Sequence, residues 1–256
     1  MTTTAPTRSN HSHRPKRSRR SPGWVPSQHG AWAMLVTPLL VGLLASGPTW
    51  THVPLTAFWF LGYFAFFATG LWLKSHRKAR YRPPVLVYSA AAAAAGLLTL
   101  LADPTLLRWA PLFVLPLGVG LLASALRDER SLWSGVATTV GSTLMTVVAY
   151  DAGAGTDLER AWLLAGILAL YFVGTVLYVK TIIRERGSEP YYWLSVGFHG
   201  VTTLILIPAA APLTPVFAAL TARAAIVPAF RISPKLAGIG EVVATVVVAT
   251  TALVAT

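Results

Sequence analysis

Four cations fall into two matching pairs in this chain: Lys74 and Lys78, then Lys180 and Arg184, each spaced four apart. On helices that run a turn beyond a membrane, that spacing sets both members of a pair on one face. Like charges so placed repel, and an anion such as phosphate lying between two such faces relieves the repulsion through charge-assisted hydrogen bonds. The same residues also suit plain snorkelling at an interface, where Lys and Arg reach for water and fix topology. A second set, His29, His199, Arg223 and Glu241, lies in or at the edge of apolar stretches. A charge in hydrocarbon is costly unless paired or hydrated. Arg223 stands about seven residues inside its apolar run and Glu241 about three residues into the next, so the two are expected to form a buried pair or to line a polar cavity. His199 is mid-span and suits a hydrogen-bonded core role.

Other chemistries lack their residues. Cysteine is absent, which removes disulfides, thiolate nucleophiles and thiolate ligands. A metal site wants three or four ligands, and neither His-x-x-x-His nor Glu-x-x-His spacing occurs, leaving only a scattered set of His29, His199 and Glu241. No metal or cofactor is therefore expected. There is no Gly-x-Ser-x-Gly elbow, P-loop or Rossmann glycine fingerprint. The nine acidic residues form no Asp-x-x-x-Asp cluster, so a magnesium-bridged diphosphate has no evident ligands.

The elements that must hold these residues are membrane helices. The 256 residues are 54% hydrophobic and only 12% charged, about half the charge of a soluble domain. Residues 1 to 23 are basic, polar and without an apolar run, and read as a flexible cytoplasmic tail. Arg19-Arg20 hints at an export signal, but Pro22 and Gly23 stand where such a signal needs apolar residues. Residues 24 to 256 read as one transmembrane helical domain. Nine apolar segments bounded by charge, Pro or Gly cover roughly 31 to 47, 54 to 73, 84 to 102, 109 to 126, 132 to 150, 161 to 179, 191 to 210, 212 to 230 and 238 to 256. The fold class is an all-α polytopic bundle of about nine helices. Only Pro208 to Pro212 separates the seventh from the eighth, and without that hairpin seven spans would remain, with the termini on the same sides.

A shift of 106 residues superposes the end of the second segment on the end of the sixth. Phe66, Thr69, Leu71, Trp72 and Lys74 meet Phe172, Thr175, Leu177, Tyr178 and Lys180, and the register runs without a gap through Pro84 and Pro190 to Ser89 and Ser195. Interfacial anchoring explains the aromatic and the lysine, while the gapless continuation points to a parallel internal repeat of four helices.

The stretch Trp24-Val-Pro-Ser-Gln28-His29-Gly30-Ala-Trp32-Ala-Met34, with Pro38 and Gly42 after it, resembles the start of the YwiC-like family of bacterial membrane proteins. So does Tyr178-Val-Lys180 through Arg184-Glu185-Arg186-Gly187, followed by Ser195 and His199. The resemblance implies a multi-pass inner-membrane protein and no particular chemistry. The architecture is also similar to UbiA-type prenyltransferases, which have nine helices and functional loops after the second and sixth. Those loops carry Asp-rich motifs in that superfamily, whereas here they carry cations, so a bound diphosphate would have to be neutralised by basic side chains directly.

Three functions follow as expectations. The first is a lipid-facing protein, whether an enzyme or not, with a cytoplasmic-side phosphate or diphosphate site at Lys74, Lys78, Lys180 and Arg184. Its partners are membrane lipids, with an isoprenoid or anionic lipid as the ligand and no nucleic acid. The second is a small-molecule or ion transporter using Arg223, Glu241 and His199. The third is a membrane scaffold or assembly protein. The first is preferred, because a transport site belongs near the bilayer midplane and of the polar candidates only His199 reaches it. Charge sets the orientation: 19 of the 21 Lys and Arg residues fall on one side, leaving only Arg108 and Arg160 on the other. The positive-inside rule places the N-terminus in the cytoplasm of an inner (plasma) membrane and the C-terminus outside. Reporter fusions test this. A C-terminal fusion should be active outside only, and a label at Ser75 should be reached from the cytoplasm only; a C-terminal fusion active in the cytoplasm would rule out the odd helix count.

Overall fold

The computed structural model describes residues 23–26 and 30–256. The tail through residue 22 and His29 lie outside the described residues. Among those described, the chain folds into nine α-helices: α1 Ala31–Ser46, α2 His52–Lys74, α3 Arg82–Ala102, α4 Ala110–Ala125, α5 Leu132–Asp151, α6 Leu158–Ile183, α7 Glu189–Ala209, α8 Thr214–Ile226 and α9 Pro234–Ala255. Eight, counted with their adjoining 3-10 turns, are long and apolar enough to cross a membrane, and α1 is a shorter apolar helix of 16 residues. The protein is therefore an all-α, multi-pass membrane bundle, the form lipid allows because a helix satisfies its own backbone polar groups.

Boundaries depart from the sequence reading at three places, each with a local cause. The eighth helix is curtailed to Thr214–Ile226, with 3-10 turns at Ala211–Leu213 and Val227–Ala229. Pro228 has no N–H to give to Ala224 and restricts Val227 before it. The ninth begins at Pro234 instead of 238, because the Ser233 hydroxyl caps it by accepting from the Leu236 N–H at 3.2 Å, with Pro234 at the first position. The sixth runs on to Ile183, and the Arg184 N–H beyond it still closes on the Lys180 carbonyl at 2.9 Å.

The core is a trio of α1, α5 and α6. Leu164, Leu168 and Phe172 of α6 are at most 1% exposed and meet residues of α1, α7, α8 and α9. On one flank α2 and α4 pack against the trio and α3 lies outside α2; on the other, α7 and α9 pack on α6 while α8 leans on α7. Lipid gives helices no hydrophobic reason to associate, so close packing of small residues has to hold them. Gly42 shows how close: a Cβ there would lie 2.3 Å from the Thr146 carbonyl oxygen and 2.8 Å from the Ala149 methyl. The two backbones touch.

Loops alternate between two faces. On the basic face, Lys74 pairs with Glu129 at 2.8 Å and Lys180 donates to the Arg130 carbonyl at 2.6 Å, so the α2, α4 and α6 ends meet. On the opposite face, Arg108 pairs with Asp151 at 2.5 Å, and the Thr49 hydroxyl donates to the Ala152 carbonyl at 2.6 Å.

Gly42→Ala should lower stability by about 1–3 kcal/mol, the usual penalty of overpacking. Gly62→Ala, whose Cβ would meet nothing within 4 Å, should be neutral or stabilising. Thermal unfolding of both variants in the same detergent checks this.

Candidate functional site

The α7–α8 hairpin is tied together by hydroxyls: Thr203 and Thr221 share a hydrogen bond at 3.0 Å, and Tyr192 donates to the Ala225 carbonyl at 3.1 Å. No comparable packing joins α8 to α9. Between them opens a cleft of about 750 Å³, lined by Val216, Ala219 and Val227 of the α8 hairpin side and by Leu236, Val243 and Val247 of α9. Leu236 and Val243 are more than half exposed on the outside of the bundle, so the cleft opens sideways, toward lipid. From Leu236 to Val247 it runs about 17 Å along α9, at a 1.5 Å rise per residue.

One ion pair bridges this gap. Arg223 of α8 donates from Nη1 to Oε1 of Glu241 on α9 at 2.6 Å. Since α9 starts at Pro234, Glu241 is two turns inside it, about 10 Å from the helix end, deeper than the three residues expected from sequence. Only Tyr178 of α6 lines the cleft, and the other α6 partners of the pair are buried behind it. Thr175 donates to Glu241 Oε2 at 2.9 Å and Tyr171 at 3.3 Å, while the Tyr171 hydroxyl also shares a 2.9 Å hydrogen bond with Thr245. The Arg223 guanidinium lies over the Tyr178 ring, 4.1 Å from its centroid, where a ring face attracts a cation. Its Nε and Nη2 are shut off from solvent and have no hydrogen-bond acceptor. A guanidinium offers five donors, and here two of its three nitrogens are unused. Such a group donates to oxyanions or carbonyl oxygens.

His199 sits close by but apart. Its Nδ1 donates to the Ser195 carbonyl at 2.7 Å, and its other edge faces α6 at Gly174, where a Cβ would come within 2.9 Å of Nε2. No hydrogen bond joins it to Arg223 or Glu241 among the described residues. His29 is outside the described residues.

The four cations of the basic face do not meet as an open cluster. α2 ends at Lys74, where the backbone turns left-handed at His76 and Arg77, φ 58° and 59°. The Arg77 N–H closes that turn on the Trp72 carbonyl at 2.8 Å, a helix-ending geometry. Lys78 is thus exposed beyond the helix instead of one turn above Lys74 on a shared face. Arg184 caps α6 and is also exposed, whereas Lys180 is 8% exposed. Lys74 and Lys180 instead grip one loop at the adjacent residues Glu129 and Arg130. Arg127 locks the same loop by donating from Nε to the Lys74 carbonyl at 3.3 Å.

Comparison with known proteins bears on identity. The family model for YwiC-like proteins matches residues 25–150. The uncharacterised protein YwiC of Bacillus subtilis is 31% identical over 176 residues, 68% of this chain and 73% of that relative. The chain belongs to the YwiC-like family. An uncharacterised protein of Haemophilus influenzae is likewise 31% identical over 189 residues, covering 72% of this chain and 77% of its own length. No solved structure matches. These comparisons show no similarity to UbiA-type prenyltransferases, and no group of three or more His, Asp or Glu suited to a metal ion occurs among the described residues.

In this YwiC-like chain the segment matched by the family model covers α1 to α5, while the cleft lies in α6 to α9. The sequence reading named Arg223 and Glu241 but passed over Tyr171 and Thr245. Both carried a signal: Tyr171, Thr175 and Tyr178 recur at helical spacing on one face of α6, and Thr245 is one turn above Glu241. Removing one partner of the pair leaves a buried charge, so Arg223→Met and Glu241→Met should each lose about 3–5 kcal/mol, and the double variant should lose less than either. A double-mutant cycle by thermal unfolding checks this, and additive losses would show that the two charges are not coupled.

Proposed function

We propose that this YwiC-like protein binds an amphipathic membrane lipid in the cleft between α8 and α9, with the basic face of the bundle turned to the cytoplasm. The lipid's polar head meets Arg223 and Glu241, and its apolar part lies along Val216, Ala219, Val243 and Val247 toward the bilayer centre. The observation that carries this reading is a charged pair, Arg223 and Glu241, lining an apolar cleft open to the side. The volume of about 750 Å³ falls within the range of small-molecule sites, which are mostly apolar with a few fixed polar groups. Two of the four basic-face cations are already engaged by Glu129 and the Arg130 carbonyl, which weighs the head-group site toward Arg223. The 19-to-2 division of basic residues supports the orientation.

Native mass spectrometry of gently solubilised protein should reveal one lipid species enriched over the bulk membrane. Ala219→Trp and Ala244→Trp, which fill the cleft, should reduce it to the bulk level. Enrichment that survives both substitutions but is lost in Lys180→Gln would move the site to the basic face.

A further inference from the structure

We infer that Arg223 and Glu241 form an exchangeable pair: a monoanionic head group takes the place of Glu241 on Arg223, and Glu241 takes up one proton. This rests on the reading of the cleft as an amphipath site and adds the charge class of the ligand and its coupling to protons.

Charge conservation in a poorly hydrated site leads to it. The pair is neutral as it stands, and its side chains are only 19% and 13% exposed. Adding an anion beside an ionised Glu241 would leave one uncompensated negative charge among apolar residues, which is strongly unfavourable. The balance is restored when Glu241 is protonated: Arg⁺·Glu⁻, a head-group anion and one proton become Arg⁺·anion and neutral Glu241. No bond other than the carboxyl O–H forms.

The surroundings suit both states of the carboxyl. In the ionised state Thr175 and Tyr171 donate to Oε2. In the neutral state the new O–H donates to the Thr175 oxygen, and the Thr175 hydrogen turns to the carbonyl one turn back, as helical threonines commonly do. Tyr171 keeps a partner either way, because the Glu241 carbonyl lies 3.1 Å and the Thr245 hydroxyl 2.9 Å from its oxygen, and in the latter bond either group can donate. Arg223 Nε and Nη2 are buried without acceptors, so a two-oxygen head group gains contacts that Glu241 does not supply once the guanidinium turns toward the cleft.

The other groups around Glu241 leave it as the carrier. α6 presents Tyr171 and Tyr178, and α8 presents Arg223. On α7, His199 faces Gly174 and Ser195. α1, packed on α9, has no titratable side chain between Ala31 and Ser46. Arg231 and Lys235 flank Ile232 and Leu236 at the basic-face end of the cleft, where they favour entry of an anion and do not touch the carboxyl.

The test uses the full chain in nanodiscs of zwitterionic lipid and decanesulfonate, whose own charge does not titrate, with empty nanodiscs as reference. Binding should draw about one proton per protein from a weakly buffered solution, and affinity should rise about tenfold per unit fall in pH while Glu241 is ionised in the free protein. Glu241→Gln should bind about tenfold tighter with no proton uptake, because the site no longer has to be vacated; Arg223→Gln should lose binding. Methanesulfonate should bind far more weakly, which separates a chain-bearing ligand from a free anion. Wild-type binding of decanesulfonate with no proton uptake and no pH dependence overturns the exchange, and needs no variant to fold. Decanol binding where decanesulfonate does not also overturns it, yet leaves the lipid cleft standing. Failure of both amphipaths removes the cleft reading as well.

Discussion

A guanidinium held in hydrocarbon must find its counter-charge within the protein, and Arg223 finds it on a helix that its own helix does not pack against. That constraint organises the C-terminal half. The pair sets how far apart α8 and α9 stand, because the two side chains span the gap. It sets the composition of the α6 face beneath, where Tyr171, Thr175 and Tyr178 supply hydrogen bonds and a ring face that an apolar helix would lack. It also explains why α8 can be short. Its position is fixed by packing and hydroxyl bonds on α7 and by one charge contact to α9.

The rest of the bundle is built for rigidity. At Gly42 the α1 and α5 backbones approach without side chains between them, which in lipid is the way to gain dispersion contacts that acyl chains cannot match. Both helix ends on the basic face are tied by charged groups to one loop. Arg127 there adopts φ 60°, a left-handed conformation that an arginine takes at a penalty of roughly 1–3 kcal/mol. Its guanidinium caps the α2 terminus in return, a favourable place for a cation. A closely packed central trio and an α8 packed on α7 but little on α9 thus divide one molecule into scaffold and cleft.

Much of this was legible in the sequence, for physical reasons that also mark where it stopped. Apolar length and flanking charge determine where a helix can cross, so the nine segments were placed to within a few residues. Helix ends were less so, because they follow caps: Lys235 looked like the edge of a loop, yet Ser233 and Pro234 start α9 before it. Arg223 and Glu241 stood out because charge is rare at that depth. Tyr171 and Thr245 did not, since a hydroxyl in a span is ordinary until its partner is known. The first basic pair was less legible. Spacing alone implied that Lys74 and Lys78 share a face, but a left-handed turn follows Lys74 directly.

The 106-residue shift of the sequence invites a comparison of the two stretches that it aligns. The stripe Tyr171, Thr175 and Tyr178 on α6 corresponds, at the same offset, to Ala65, Thr69 and Trp72 on α2. The first stretch thus has a methyl where the second has the hydroxyl that reaches Glu241. The helices that follow differ in step. After the first stretch α4 and α5 pack directly, so tightly that a Cβ on Gly141 would lie 2.6 Å from Pro116. After the second, α8 and α9 are held apart across a charged pair. The lysine that ends each stripe does a similar job in both, since Lys74 and Lys180 hold neighbouring residues of one loop. Lysines anchor the ends of both α2 and α6 on the basic face, while a charged pair in place of small, close-packed residues leaves a cleft between α8 and α9.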